Sequence, residues 1–445
     1  MMLSAVPLLL SVLSPSGSDW PQFRGPLASG VRSGVELPEE LGEPAWRVDV
    51  PGLSHASPVV LGSRVFVATA IPTGITPELK VGLYGAGDSA EDLVETEFRL
   101  LAFDVGSGEK LWDTLAAKTV PQFGRHTKAT QANSTPAATG DAVVAVFGSA
   151  GLFCFDAASG EQRWRVDLGP LDCGPPRESG LHWGYASSPV VHDGRVVVQV
   201  DVQGESYLAA FALEDGKEVW RTRRDDVDTW CTPTILPAAG ERPAQVLVNG
   251  SKHIGAYRFD DGAELWHLSG GGGIPVPTPV VSGDLVYFTS NHRPLEPSHP
   301  QQPVFAVRLS AEGDLGVPDE DDLGEHMAWM AARRGNYMQT PIVYDGLAWF
   351  CKDDGIVTCF DAETGEEFYR ERLGEGRTGF TASPVAGYGM VYFTSEEGDV
   401  YTVSASDEFE VIAHSELGDI CMTTPAIVDD GLVFRTQRQL MRFDP

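Results

Sequence analysis

A Ser/Thr-Pro step that returns eight times is the feature that most constrains how this chain can fold. It occurs at Ser57-Pro58, Thr135-Pro136, Ser188-Pro189, Thr232-Pro233, Thr278-Pro279, Thr340-Pro341, Ser383-Pro384 and Thr424-Pro425. Most successive prolines lie 41 to 53 residues apart, and the two longer gaps, of 78 and 62, hold loop insertions. A four-stranded blade takes about 40–45 residues, so each step marks one propeller blade. A Gly- or Asp-rich pair follows most steps, as at Gly140-Asp141, Asp193-Gly194, Gly283-Asp284 and Asp345-Gly346. Such pairs supply the positive φ angles that a two-residue hairpin needs. The strands after them are almost continuously apolar, for example Val143-Val-Ala-Val-Phe147 and Val196-Val-Val198. An apolar run without alternation belongs to a strand covered on both faces, as the second strand of a blade is by its neighbours.

The third and fourth strands carry a second repeat. Blade one reads Leu101-Ala-Phe-Asp-Val-Gly-Ser-Gly-Glu-Lys-Leu-Trp112, and blade two Phe153-Cys-Phe-Asp-Ala-Ala-Ser-Gly-Glu-Gln-Arg-Trp164. Blade three ends at Trp220, blade four at Trp266, and blade six at Tyr369 in place of Trp. Each copy has a small residue six before a Gly and an aromatic four after it. The Gly closes a tight turn, and the aromatic then lies against the next blade, burying on the order of 150–250 Å². This motif resembles the pyrroloquinoline-quinone (PQQ)-like, quinoprotein-type propeller repeat. That family includes quinoprotein alcohol dehydrogenases and BamB-type outer-membrane assembly proteins. The resemblance runs over roughly residues 40 to 445 and implies an all-β, eight-bladed β-propeller of four-stranded antiparallel blades. It is specific for fold and poor for function. Blade five (Val304-Phe-Ala-Val-Arg308) and blade seven (Val400-Tyr-Thr-Val403) lack the terminal aromatic.

Ring closure is legible too. The chain ends at Met441-Arg-Phe-Asp-Pro445, a third strand with no fourth after it, while Glu43-Pro-Ala-Trp46-Arg-Val-Asp-Val50 is an orphan fourth strand with its own docking Trp. Trp46 is therefore expected to complete the last blade and remove the open sheet edges. The expected organisation is a signal peptide over 1–18, an N-terminal lead-in segment over 19–42 that packs onto the propeller, and the propeller over 43–445. The apolar stretch near Met1 is too short to span a bilayer and is followed by small residues, as in a secretory signal, although no Lys or Arg precedes it. No Cys occurs before Cys154, so no lipoprotein cysteine follows the signal. These features point to a periplasmic or secreted monomer without a membrane span.

Charge narrows the partners. With 63 acidic against 32 basic residues the net charge is −31, which repels phosphate backbones and anionic membrane faces and disfavours nucleic acid. Six cysteines without a C-x-x-C pair allow disulfides in an exported chain, but their pairing is not readable. Cys154 and Cys359 occupy the small-residue position of the repeat and are expected in the core. Phosphate-loop, nucleophile-elbow and metal-type motifs are absent from the sequence. The acidic runs Asp225-Asp-Val-Asp228 and Asp319-Glu-Asp-Asp322 lack calcium-loop spacing and are expected to be solvated turns. No catalytic residue and no metal ligand is assigned.

The loops running from fourth to first strand and from second to third share one face, and the long ones (71–97, 113–134, 165–187, 290–303 and 315–338) are expected there. Residues just before the Ser/Thr-Pro steps should ring the channel mouth on that face: His55, Asn133, Tyr185, Trp230, Tyr337 and Phe380. Nearby loops add Arg125, His126, Lys128, Arg177, His182, Trp183, Arg333 and Arg334. Aromatics beside Arg and His either form a pocket for a planar or anionic ligand or plug the channel. Resemblance to BamB-type proteins implies a non-catalytic envelope scaffold that binds a protein or peptide and needs no cofactor. The alternatives are an exported oxidoreductase using PQQ at the channel mouth and a carbohydrate-binding propeller. The quinone dehydrogenases of the resembled family carry an adjacent Cys-Cys pair over the cofactor, and no two cysteines are adjacent here.

Overall fold

The computed structural model describes residues 19–83, 89–175 and 180–445. The proposed signal peptide over 1–18 lies outside the described residues, as does Arg177. The described residues form eight sheets, each with four antiparallel strands running from the channel outward, in sequence order in all but the last blade. Blade one uses Val59–Leu61, Arg64–Pro72, Thr96–Asp104 and Lys110–Thr119. Blades two, three and four span 137–166, 190–223 and 234–268, and blades five, six and seven span 280–331, 342–372 and 385–416. Blade eight takes three strands from the C-terminal end, Ala426–Val428, Gly431–Arg435 and Gln439–Phe443, and its fourth from Trp46–Asp49. Trp46 pairs with Arg442 and Asp49 with Gln439, so the two ends of the chain close the ring.

The Ser/Thr-Pro step has a physical role that the sequence alone does not display. The backbone N–H of each Ser or Thr donates to the hydroxyl of the equivalent residue in the next blade. Ser57 N donates to Thr135 Oγ1 at 2.9 Å, Thr135 N to Ser188 Oγ at 2.9 Å and Ser188 N to Thr232 Oγ1 at 3.0 Å. The relay continues through Thr232 to Thr278 (3.3 Å), Thr278 to Thr340 (3.0 Å) and Thr340 to Ser383 (2.9 Å). Ser383 N donates to Thr424 Oγ1 and Thr424 N returns to Ser57 Oγ, both at 3.0 Å. Eight buried amides are thereby satisfied in one circle. The proline that follows has no N–H to satisfy at the crowded inner bend.

The outer circle is made by indoles. Trp46, Trp112, Trp164, Trp220 and Trp329 lie under the turn glycines Gly108, Gly160, Gly216, Gly262 and Gly365 of the following blade, where a Cβ would fall 2.5–2.8 Å from the ring. Their Nε1 atoms donate to Val105, Ala157, Leu213, Phe259 and Ala362 carbonyls at 2.8–3.3 Å. Trp329 corrects the expectation that blade five lacks its aromatic. It pairs with Ala306, as Trp112 pairs with Ala102, but an insertion over 309–326 separates it from its third strand. That insertion also corrects the expected placement of 315–338 on the loop-rich face: its first part joins third to fourth strand and adds Gly313–Asp314 as a parallel fifth strand on blade four. Because the insertion replaces the glycine turn, Trp266 finds no acceptor for its buried N–H among the described residues. Tyr369 docks differently, accepting from Trp349 Nε1 at 2.6 Å.

The lead-in segment crosses the channel just below the hydroxyl ring. Trp20 bridges to Val60 of blade one, Pro21 O accepts from Ala138 N of blade two, and Val31 pairs beside Ala386 of blade seven. Between them the fully buried Arg24 guanidinium donates to the carbonyls of Ala28, Ser29, Thr340, Pro341 and Pro384. Burial pushes its pKa down to about 9. Five carbonyls solvate this cation where water is excluded. All six cysteines are buried and unpaired, Cys154 and Cys359 in the small-residue position as expected. The expected solvation of the run 225–228 holds only for Asp225. Asp226 is buried against Arg224 at 3.2 Å, and Asp228 is buried with Gly174 N on its carboxylate.

Two mutations separate the inner and outer circles. Thr424→Val keeps the shape but leaves the Ser383 amide without an acceptor, and should lower stability by about 1–3 kcal/mol, with Thr424→Ser recovering most of it. Trp220→Phe should cost about 1 kcal/mol more than Trp266→Phe, because only Trp220 loses an N–H···O=C bond. Thermal and urea unfolding of the four variants check both.

Candidate functional site

The hydroxyl ring and the lead-in segment together make a blind funnel. Phe23 lies at its floor, and the cavity has a volume of about 430 Å³. Its wall is built from one register position. The residue two before every Ser/Thr-Pro step lines it: His55, Asn133, Ala186, Trp230, Val276, Met338, Thr381 and Met422. The eight ring hydroxyl residues form the next layer down. First strands converge on the axis, so equal positions in eight blades come to one circle.

Of the sequence-assigned residues, His55, Asn133, Trp183, Trp230, Tyr337 and Phe380 face the funnel. Tyr185 does not: although it stands three before its step, as Tyr337 and Phe380 do, it is buried in the core and donates through its hydroxyl to Gln199 O at 2.7 Å. His182 also lies outside the funnel wall, its Nδ1 2.7 Å from Asp172 Oδ1. Among the added loop residues, His126 and Lys128 line the cavity, whereas Arg125 is buried on Asp92 and Arg334 pairs with Glu367. Arg333 lies outside the lining.

Charges in the wall are largely engaged. Lys128 Nζ meets Glu396 Oε1 at 2.8 Å and Gly82 O at 2.7 Å, and Glu396 also accepts from Thr381 and from Gly82 N. This pair ties the loop before blade two to blade seven across the mouth. His55 Nε2 sits 2.7 Å from Lys128 O, and burial, helped by the charges of Arg125 and Arg435, pushes its pKa down to about 4. It is a neutral donor, not a general acid. Burial raises the Cys231 thiol to about 12 and the Tyr337 phenol to about 12.

Two polar atoms of the funnel have no hydrogen-bond partner among the described residues, the Trp183 indole N–H and Asn291 Oδ1. The Asp353 carboxylate joins them in the lining, without an ion pair among the described residues. Burial and the neighbouring Asp354 push the Asp353 pKa up. Around these groups Trp183 and Trp230 pack at 5.8 Å, with His126 edge-on to Trp183 at 5.4 Å. Asp353 and Glu396 escape a reading of the sequence because they sit in short second-to-third-strand turns. An acidic residue at that turn in two successive blades is the available signal.

The profile of the family described as outer membrane protein assembly factor BamB matches residues 96–369. No curated protein matches the chain in sequence. Among solved structures, BamB from Moraxella catarrhalis superposes with a TM-score of 0.54 at 14% identity, covering 85% of this chain and 98% of that one. A europium-containing methanol dehydrogenase gives 0.64 at 12% identity, covering 95% and 88%. The quinohemoprotein alcohol dehydrogenase from Comamonas testosteroni gives 0.64 at 12%, covering 96% and 80%. At these identities the structural likeness establishes the propeller fold alone.

Neutral His55 sets a pH signature. Its unfolded counterpart takes up a proton near pH 6.5, whereas the folded imidazole waits until about 4. Stability that depends on neutral His55 is complete above pH 6.5 and is lost as the pH falls toward 4. The advantage of wild type over His55→Gln should shrink across that window, measured as convergence of their unfolding midpoints.

Proposed function

The chain belongs to the family of outer membrane protein assembly factor BamB, and from that premise we propose that it is a non-catalytic binding propeller of the cell envelope whose funnel holds an extended segment of a partner protein. The observation that carries this reading is the set of orphaned polar groups among aromatic rings. An extended peptide brings both backbone carbonyls and N–H groups. Its carbonyl suits the Trp183 N–H, its N–H suits Asn291 Oδ1, and a Lys or Arg side chain suits Asp353, while apolar side chains lie against Trp230 and Phe380. Burying an unpaired polar group costs about 1–3 kcal/mol, so a ligand that pairs the Trp183 N–H and Asn291 Oδ1 gains from each, and its cation adds an ion pair to half-buried Asp353. The acidic surface adds attraction for a basic segment. A periplasmic or secreted location accords with this role, and no helix among the described residues is long and apolar enough to cross a membrane.

The funnel does not fit a bound quinone of the PQQ kind. That cofactor is a polycarboxylate and needs cations, yet Lys128 is already held by Glu396 and the remaining wall charge of Asp353 is negative when ionised. Carbohydrate recognition gains no specific support beyond the aromatic rings.

Titration with labelled ten-residue peptides that copy the pattern of outer-membrane barrel strands, each carrying alternating apolar residues and one Lys, tests the proposal. Saturable binding should quench the Trp183 and Trp230 emission. Trp183→Ala and Asp353→Asn should each weaken it about tenfold, equal to about 1.4 kcal/mol. Absence of binding, or equal binding by both variants, overturns the funnel as the peptide site. Copurified quinone in stoichiometric amount would replace the reading by an oxidoreductase.

A further inference from the structure

A second cluster, far from the funnel in the outer strands of blade four, has the chemistry of a metal centre. His253 Nε2 lies 2.6 Å from Glu264 Oε2, and His267 Nδ1 lies 2.8 Å from Glu264 Oε1. The donor atoms of the three residues all fall within 4.8 Å of one another. The two imidazoles stack with centroids 4.4 Å apart.

Their convergence has a local cause. In a regular strand Glu264 and His267, three apart, would point to opposite faces. Here a bulge between Ala256 and Tyr257 leaves Leu265 unpaired and turns Glu264 onto the face of His267. The same bulge lets Glu218 reach Arg221 in blade three and Lys110 reach Asp113 in blade one. Only in blade four are the two residues metal-ligand types, and only there does a histidine, His253, immediately precede the third strand on the same side. Gly255 stands opposite His267, so no side chain separates the rings. The backbone of His253 is fixed by its N–H on buried Asp226 and its carbonyl on buried Arg224.

The blade-five insertion supplies a fourth group. Its short strand pairs Asp314 with His267, and Asp314 Oδ1 lies 3.2 Å from His267 Nε2. A carboxylate on the far nitrogen of a histidine fixes the ring so that the near nitrogen is left to bind metal. Two histidine nitrogens and one carboxylate at this spacing match a tetrahedral zinc ion with one position open to solvent.

We propose that His253, Glu264 and His267 bind one zinc ion at the rim of blade four, with Asp314 orienting His267 from outside the coordination sphere. The inference is independent of the funnel. Zinc is titrated into the metal-free full chain in competition with a chromophoric chelator, and cobalt is used as a spectroscopic substitute. One ion per chain should bind, and cobalt should give the intense visible bands of tetrahedral coordination. Glu264→Gln and the double variant His253→Ala/His267→Ala should abolish that site. Asp314→Asn should weaken it about 10–100-fold while leaving the cobalt bands tetrahedral. Glu264 and Asp314 are exposed and the two histidines are half-buried, and an unchanged circular dichroism spectrum shows that the variants fold. The proposal is overturned if zinc does not bind, if the double variant binds as tightly as wild type through scattered surface acids, or if cobalt remains octahedral. Calcium displacing zinc at equal concentration would also overturn it, since an imidazole site prefers the softer ion.

Discussion

The closed circle of eight amide-to-hydroxyl hydrogen bonds around the channel is the constraint on which the rest of the structure depends. Each bond crosses from one blade to the next, so none forms within a single repeat and all eight require a completed ring. The donors are buried backbone amides, for which an unmade bond is costly. Serine and threonine are the residues that place a short hydroxyl there without filling the axis. The same circle fixes the angular spacing of the first strands and thereby brings the residue two before each step to a common height in the funnel wall.

Cohesion at the periphery is less uniform. Five indoles rest under five glycines and donate to five carbonyls, and the exceptions are linked in pairs. Where the next blade keeps its glycine turn, the preceding blade keeps a tryptophan with a satisfied N–H. Where blade five exchanges the turn for an insertion, Trp266 keeps its burial and loses its acceptor. Blade seven has no glycine turn, and blade six presents Tyr369, whose hydroxyl bonds within its own blade. Blade eight is closed by the two chain ends and has no such turn. Blade seven correspondingly presents Ala413 at the docking register. Docking residue and turn therefore vary together across each blade boundary because they form one contact.

The candidate site is partly legible in the sequence. His55, Asn133 and Trp230 can be found because a step-relative position in a propeller maps directly onto the axis. Tyr185 stands three before its step, as Tyr337 and Phe380 do, yet its ring turns into the core of the blade and its hydroxyl donates to Gln199 O, so the step-relative position alone does not decide which way that side chain faces. Arg125 and Arg334 resemble ligand-binding cations in sequence, yet each is consumed by a carboxylate from another segment, Asp92 in the loop within blade one and Glu367 in the outer strand of blade six. The Lys128–Glu396 pair joins residues 268 apart in sequence, and no local pattern encodes such a contact.

By itself the sequence determined the number of blades, their strand order, the closing role of Trp46 and the docking function of most outer aromatics. These are properties of a repeat, and a repeat writes each interaction several times in the same register. Tertiary structure alone decided what happens once or between distant segments. It placed Arg24 in a cage of carbonyls beneath the ring, gave Trp329 its place behind an insertion, left the Trp183 N–H and Asn291 Oδ1 without hydrogen-bond partners among the described residues, and used a bulge to join Glu264 with two histidines. A periodic pattern specifies contacts between equivalent positions, whereas a single contact between unlike loops depends on where the closed ring brings them.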